Sequence, residues 1–198
     1  MTKVFTDGLS FALPLLIMAV GAIYSEKSGV TNLAIEGFQG FGAFIGALAA
    51  ILVMPYFAKS SQVPIYIAMI FAAVGGGVYA CLHALLCINF KANQVISGVV
   101  VNILAVALTT FFTSAANTAL TGTASNKFIL GVSNRYSIPL LSDIPVIGGL
   151  FKKMYPFEWI IIGLVVVFWY LMYKTRYGMR LRACGENPQA LDAAGGDV

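Results

Sequence analysis

The chain has 198 residues, 59% of them hydrophobic and 10% charged, with a formal net charge of +4. That charged share is far below the roughly 25% of soluble domains, and the mean hydropathy of +0.86 excludes a water-soluble globular fold in favour of an integral membrane protein. Much of the small positive excess sits in one flank beside an apolar run, so membrane topology explains it without a nucleic-acid partner.

The expected architecture is an all-α polytopic transmembrane bundle in a single domain, with about five spans. The first covers residues 8–24 and contains Pro14, tolerable where neighbouring helices satisfy the freed carbonyl. No basic n-region followed by a small-residue cleavage site precedes it, so this span is expected to stay in the mature chain. Glu26, Lys27 and Ser28 mark a surface turn.

The second span, residues 31–54, would measure about 36 Å as one helix. That exceeds a hydrocarbon core of about 30 Å, so a tilt or a broken start is expected. If the helix starts early enough, Ser28, Asn32, Glu36 and Gln39 share an arc of about 80°. Ala43, Gly46 and Ala50 continue that face. A side that is polar at one end and small along its length predicts a central helix with close-packed neighbours.

The third span covers residues 64–89 and opens on Pro64. Gly75, Gly76 and Gly77 in its middle suit close helix approach or a local break. Lys91 to Asn93 form a tight turn. The fourth span covers residues 94–113, with Gln94, Ser97, Asn102 and Thr109 over a broader arc. Residues 114–156 form the longest non-spanning region. Its first part is small and polar and reads as a solvated loop. Pro139, Pro145 and Pro156 in its second part argue against another full span and for an interfacial or re-entrant piece.

The fifth span covers residues 157–173, with Trp159 at one end and Trp169, Tyr170 and Tyr173 at the other as interface anchors. Lys174, Arg176, Arg180 and Arg182 follow at once and place residues 174–198 in the cytoplasm. The N-terminus and the loop 114–156 are then outside, although Lys152 and Lys153 near a span count against this orientation. After the basic flank comes a helix start signal. Asn187 can cap, Pro188 suits the first helical position, and Gly195-Gly196 supply a stop. About two turns of helix result, too short to stand alone in water. No apolar span follows, so the sequence reads as truncated at its C-terminal side.

Cys81, Cys87 and Cys184 have neither metal-like spacing nor an even count, which favours free thiols. No metal site and no catalytic residue is expected. The chain lacks G-x-x-x-x-G-K-[ST], H-E-x-x-H and G-x-S-x-G, so any ATP hydrolysis must come from another subunit.

Four segments, in order, carry a resemblance. They are Tyr24–Ala43 (YSEKSGVTNLAIEGFQGFGA), Lys91–Ala105 (KANQVISGVVVNILA), Ile138–Phe151 (IPLLSDIPVIGGLF) and Thr175–Gly195 (TRYGMRLRACGENPQALDAAG). They are similar to the inner-membrane permeases of the branched-chain amino acid, ribose and nucleoside importers, closest to the simple-sugar or nucleoside branch. Ala34, the pair Phe38-Gln39 and Cys184 depart from the usual pattern without breaking it. The resemblance implies an ATP-binding cassette importer of the type II fold in a bacterial inner membrane. A second permease subunit, a cytoplasmic ATPase with two cassettes and an external substrate-binding lipoprotein would be its partners. The permease itself would bind no cofactor, and the ATPase partner would use the ATP. The resemblance also implies that the helix after Asn187 couples to the ATPase, through Arg182, Gly185, Glu186, Asn187, Pro188, Ala190, Ala194 and Gly195.

The substrate pathway is less readable. Its candidates are Asn32, Glu36, Gln39, Gln94, Ser97 and Asn102. An ionisable group at membrane depth is a functional candidate, yet it can equally be a hydrogen-bonded packing group. The amides divide the same way between substrate contact and helix packing. His83 has no carboxylate at i±3 or i±4 and reads as a packing or hydrogen-bonding histidine. A secondary transporter or channel for small polar solutes is the alternative function. A membrane-embedded enzyme has no motif to support it.

Overall fold

The computed structural model describes residues 2–58, 61–130 and 156–196. All regular structure among them is helical. The elements are α1 (Thr2–Lys27), α2 (Ile35–Val53) with a 3-10 turn at Met54–Tyr56, α3 (Val63–Ala84) ending in a π turn at Leu85–Asn89, α4 (Gln94–Thr121), α5 (Pro156–Lys174), α6 (Arg176–Glu186) and α7 (Pro188–Ala193). Among the described residues four helices are long and apolar enough to cross a membrane, or five if α5 and α6, bent by 68° to each other, count as one span. The proline-rich piece 138–151, expected to be interfacial or re-entrant, lies outside the described residues, as do Arg135, Lys152 and Lys153.

The chain divides into two compact units, Met1–Thr31 with Asn134–Val198, and Asn32–Ser133. In the second unit α2 packs on both α3 and α4. The approach to α3 is backbone-close because α2 offers Gly42 and Gly46 there. A Cβ on Gly42 would lie 2.7 Å from the Ala72 carbonyl oxygen, and one on Gly46 would lie 2.8 Å from that of Ala68. Gly75 and Gly76 answer from α3, where added Cβ atoms would meet Ile45 and the Phe38 carbonyl oxygen. Gly75 and Gly76 therefore form a packing seam within a continuous helix, and Gly77, exposed, has no neighbour within 4 Å of its Cβ position. The expected face is turned slightly, since Ala43 is exposed while Gly42, Gly46, Ala49 and Ala50 are buried. Ala34, Tyr79, Val101 and Ala105 form a buried cluster flanked by Phe38, Phe41 and Leu82. The Tyr79 hydroxyl donates to the Val101 carbonyl at 2.8 Å, so the phenol is paired where water is excluded.

In the first unit α1 and α5 run parallel. Near their starts Ser10 donates to the Glu158 carboxylate at 2.6 Å. Near their ends the Tyr24 hydroxyl donates to the Phe168 carbonyl at 2.5 Å, and the two rings meet edge to face.

Expected boundaries move: α1 extends over Thr2–Lys27, so Glu26 and Lys27, expected in a surface turn, are helical. Residues 114–121, read as solvated loop, continue α4 to Thr121. The hydroxyls that suggested a loop bond back along the helix instead, Thr118 to the Ser114 carbonyl and Thr121 to the Asn117 carbonyl, both at 2.8 Å. The basic flank after residue 174 is likewise helical, as α6.

Candidate functional site

The polar arc expected on the second span does not form as drawn. Ser28 belongs to the closing turn of α1, where its hydroxyl donates to the Ser25 carbonyl at 2.7 Å. Residues 31–34 are non-helical, and α2 starts only at Ile35. Asn32 sits in that stretch and accepts from the Ala34 N–H at 2.9 Å, a local turn that offers the backbone an alternative to helix. The broken start is thus built by Asn32 itself.

Alanine at position 34 gives α2 no side-chain cap. Asn102 supplies one from α4. Its Oδ1 accepts from the Gly37 N–H at 2.7 Å, and its Nδ2 donates to the Leu33 carbonyl at 2.6 Å. One amide thereby satisfies an orphan donor in the first turn of α2 and a carbonyl of the non-helical stretch before it. Ser97 is buried and lies 2.9 Å from His83 Nδ1. The His83 ring, itself buried, also has the Cys87 sulfur nearby and the Phe38 ring at 5.9 Å. Gln94 is half-buried at the first position of α4.

Glu36 and Gln39 differ from these. Both are exposed on α2, and neither makes a hydrogen bond or ion pair within the described residues. The six candidates therefore separate. Asn32, Gln94, Ser97 and Asn102 have polar partners on this chain, whereas Glu36 and Gln39 present their polar atoms outward.

The coupling candidates are built at the end of α5. Thr175 breaks the helix there, donating to the Leu171 carbonyl at 2.5 Å while accepting from the Gly178 N–H at 3.3 Å. The second bond caps α6. Gly178 fits the corner because a Cβ would collide with the Leu171 and Met172 carbonyl oxygens. On α6 the Arg182 guanidinium lies 5.2 Å from the Tyr173 ring centre, and its Nε approaches the Gly178 carbonyl at 3.4 Å. A cation over an aromatic ring holds α6 to the end of α5. Gly185 lies against Lys27 and Gly29 of the α1 turn. Glu186, exposed, is the last residue of α6.

Asn187 then closes α6 and opens α7. Its extended backbone (φ −156°) interrupts the helix, and its Oδ1 accepts from the Ala190 N–H at 3.0 Å. Pro188 takes the first helical position. The far end is a Schellman turn in which Gly196 N–H donates to the Leu191 carbonyl and Gly195 N–H to that of Asp192, both at 2.9 Å. Gly195 holds the left-handed conformation this turn needs (φ +77°), after Ala194 as the C-cap. Pro188, Gln189, Ala190, Asp192 and Ala193 are exposed.

Three structural residues escaped the sequence reading. Glu158 is only 1% exposed, in the first turn of α5, with Ser10 as a partner 148 positions away that no local pattern reveals. Asn93 caps α4 by accepting from Val95 and Ile96 N–H, which its place before an apolar run could have signalled. Asn117, buried on α4, donates to the Ser125 and Lys127 carbonyls and fixes the segment after the helix.

Residues 4–198 match a family described as branched-chain amino acid transport system / permease component. The chain is 34% identical over 191 residues to the nucleoside ABC transporter permease protein NupC of Lactococcus lactis, covering 96% of this chain and 58% of that protein. It is 33% identical over 193 residues to the guanosine ABC transporter permease protein NupQ of Bacillus subtilis, again covering 96% and 58%. A more distant relative, the glucose ABC transporter permease protein TsgB13 of Haloferax volcanii, is 26% identical over 197 residues, covering 96% of this chain and 49% of that protein. The chain thus spans between 49% and 58% of the length of these relatives. No solved structure matches.

Proposed function

The chain belongs to the branched-chain amino acid transport system / permease component family, and from that premise we propose that it acts as a membrane-spanning subunit of an ATP-driven importer and meets its ATPase through α7. The observation that carries the reading is the construction of α7. A helix of six residues is too short to hold itself in water, yet this one has a side-chain cap, a proline at its first position and a Schellman stop. It is presented outward beyond a sharp corner. Such a built and exposed handle suits a protein groove.

The partners this reading requires are an ATPase with two cassettes, a second permease subunit and an external substrate-binding lipoprotein, all in a bacterial inner membrane. ATP would be hydrolysed on the ATPase, and this chain would bind no cofactor. A nucleoside is the substrate class best supported, because two of the most similar relatives are named for nucleosides and guanosine. Glu36 and Gln39 offer hydrogen-bonding groups of the kind a hydroxyl-rich ligand needs, and line the proposed pathway.

The test is uptake by the assembled transporter in sealed vesicles. Guanosine should enter faster than glucose, only with ATP on the ATPase side. The double substitution Asn187→Ala with Pro188→Gly should leave ATP hydrolysis running while uptake stops. Uptake that persists without ATP under an ion gradient would instead favour a secondary transporter, and unchanged uptake in the double variant would remove α7 from the mechanism.

A further inference from the structure

We propose that the backbone crossing of Gly29 and Gly185 is the seat through which movement of α7 reaches α1; the proposal rests on the reading of α7 as the ATPase contact. Gly185 stands two residues before Asn187, the residue shared by α6 and α7. Opposite it is the closing turn of α1. A Cβ on Gly185 would overlap the Lys27 carbonyl oxygen and lie 2.9 Å from the Gly29 nitrogen. A Cβ on Gly29 would lie 3.2 Å from the Gly185 Cα. Main chain therefore rests on main chain, with no side chain between.

That detail matters for transmission. A contact made by long side chains absorbs a small displacement by changing rotamers. A backbone contact passes it on, provided both surfaces are stiff. The α1 side is stiff. Gly29 takes the left-handed conformation (φ +83°). Its N–H donates to the Glu26 carbonyl at 3.0 Å, and Val30 N–H donates to that of Ser25 at 3.1 Å. The Ser25 hydroxyl donates back to the Val30 carbonyl at 2.9 Å. These bonds close a Schellman turn with a side-chain lock across it. The α6 side is held to α5 by the Thr175 corner and by Arg182 on Tyr173. A push on α7 thus has two routes into the first unit, along the chain into α5 and across the glycine seat into α1. The parallel pair α1 and α5, tied near both ends by Ser10–Glu158 and Tyr24–Phe168, is driven as one body.

The experiment measures substrate taken up per ATP hydrolysed by the complete transporter in proteoliposomes, with ATPase capture and hydrolysis recorded separately. Gly185→Ala inserts a methyl between two backbones. Its uptake per ATP hydrolysed should fall by at least about tenfold, the scale of coupling between linked sites, while ATPase capture and hydrolysis should stay parental in Gly29→Asn, which lies on the α1 turn outside the ATPase-coupling residues. Gly29→Asn is the milder wedge, since asparagine tolerates the left-handed conformation and its Cβ asks for only a small shift; a loss of a few fold is expected. Gly163→Ala on α5, whose Cβ meets nothing within 4 Å, should couple as the parent does. If Gly185→Ala does not assemble, Gly29→Asn decides. Parental uptake per ATP in both seat variants overturns the proposal, as does loss of assembly in both, which would make the crossing a folding contact. The α7 reading is judged apart. If Asn187→Ala with Pro188→Gly uncouples and the seat variants do not, the handle stands and the seat falls. If that double variant stays coupled, the handle falls and the seat with it.

Discussion

Asn102 and Glu36 sit on facing helices of one unit and have opposite dependencies. Both polar ends of Asn102 are committed to main-chain groups of residues 33 and 37. Asn102→Ala leaves a donor and an acceptor without their partner where α2 begins, at a cost of about 1–3 kcal/mol for such a loss. The unfolding midpoint in detergent should drop accordingly. Asn102→Asp keeps the acceptor for Gly37 but cannot donate to Leu33, so it should not restore the parent value. Glu36 is exposed and makes no bond within the described residues. Glu36→Gln should therefore leave stability within about 0.5 kcal/mol, as surface substitutions usually do. A change in uptake rate with that stability intact is the outcome expected of a pathway group, and a fall in assembly would return Glu36 to a packing role. Composition alone could not have made this distinction. Asn102, Ser97 and Glu36 all looked like polar groups in apolar helices, and only their distant partners, Leu33, Gly37 and His83, tell them apart.

At the scale of elements, α2 shows what periodicity can and cannot deliver. The recurrence of small residues pointed to a helix packed close to its neighbours, and the packing against α3 has that character. The turn at Asn32 delays the helix start to Ile35 and leaves Asn32 off the helix. Which small residues face inward was set by the partner helix, whose contact centres on Gly42 and Gly46 and leaves Ala43 outside. Residues 114–121 failed for a related reason, because serine and threonine suit loops by propensity yet bond back to helix carbonyls when a buried face, here Thr113 and Asn117, holds the helix together. The α2–α3 seam can be probed by a pair of substitutions. In Gly46→Val the new Cβ would stand 2.8 Å from both the Ala68 carbonyl oxygen and the Ala72 Cβ, so the helices must part. Overpacking of this kind costs about 1–3 kcal/mol. In Gly40→Ala the Cβ meets nothing within 4 Å, and the smaller freedom of the unfolded chain should make the change neutral or stabilising by up to about 1 kcal/mol. Equal unfolding midpoints for the two variants would mean that the close approach of α2 and α3 contributes little.

For the molecule as a whole, hydropathy located the apolar spans because each is a long local signal. The pairing of α1 with α5 was hidden, since its ties join residues about 150 positions apart with no sequence pattern between them. That pairing bears directly on topology. Parallel helices tied near both ends must leave the bilayer on the same face. Lys27, at the end of α1, therefore shares a face with Lys174, Arg176, Arg180 and Arg182, and five cations gathered at one end state the positive-inside preference more strongly than either flank alone. In a chain with Cys81 and Cys87 replaced by alanine, a membrane-impermeant thiol reagent should reach Cys184 and an introduced Ser28→Cys in inverted vesicles but neither in intact cells. A Gly8→Cys variant that also carries Cys184→Ala, changed at the far end of α1, should behave the opposite way. Labelling of Ser28→Cys and Cys184 from opposite faces would break the parallel pair. Labelling of both from outside would preserve the pair and reverse the molecule, leaving α7 out of reach of any cytoplasmic ATPase.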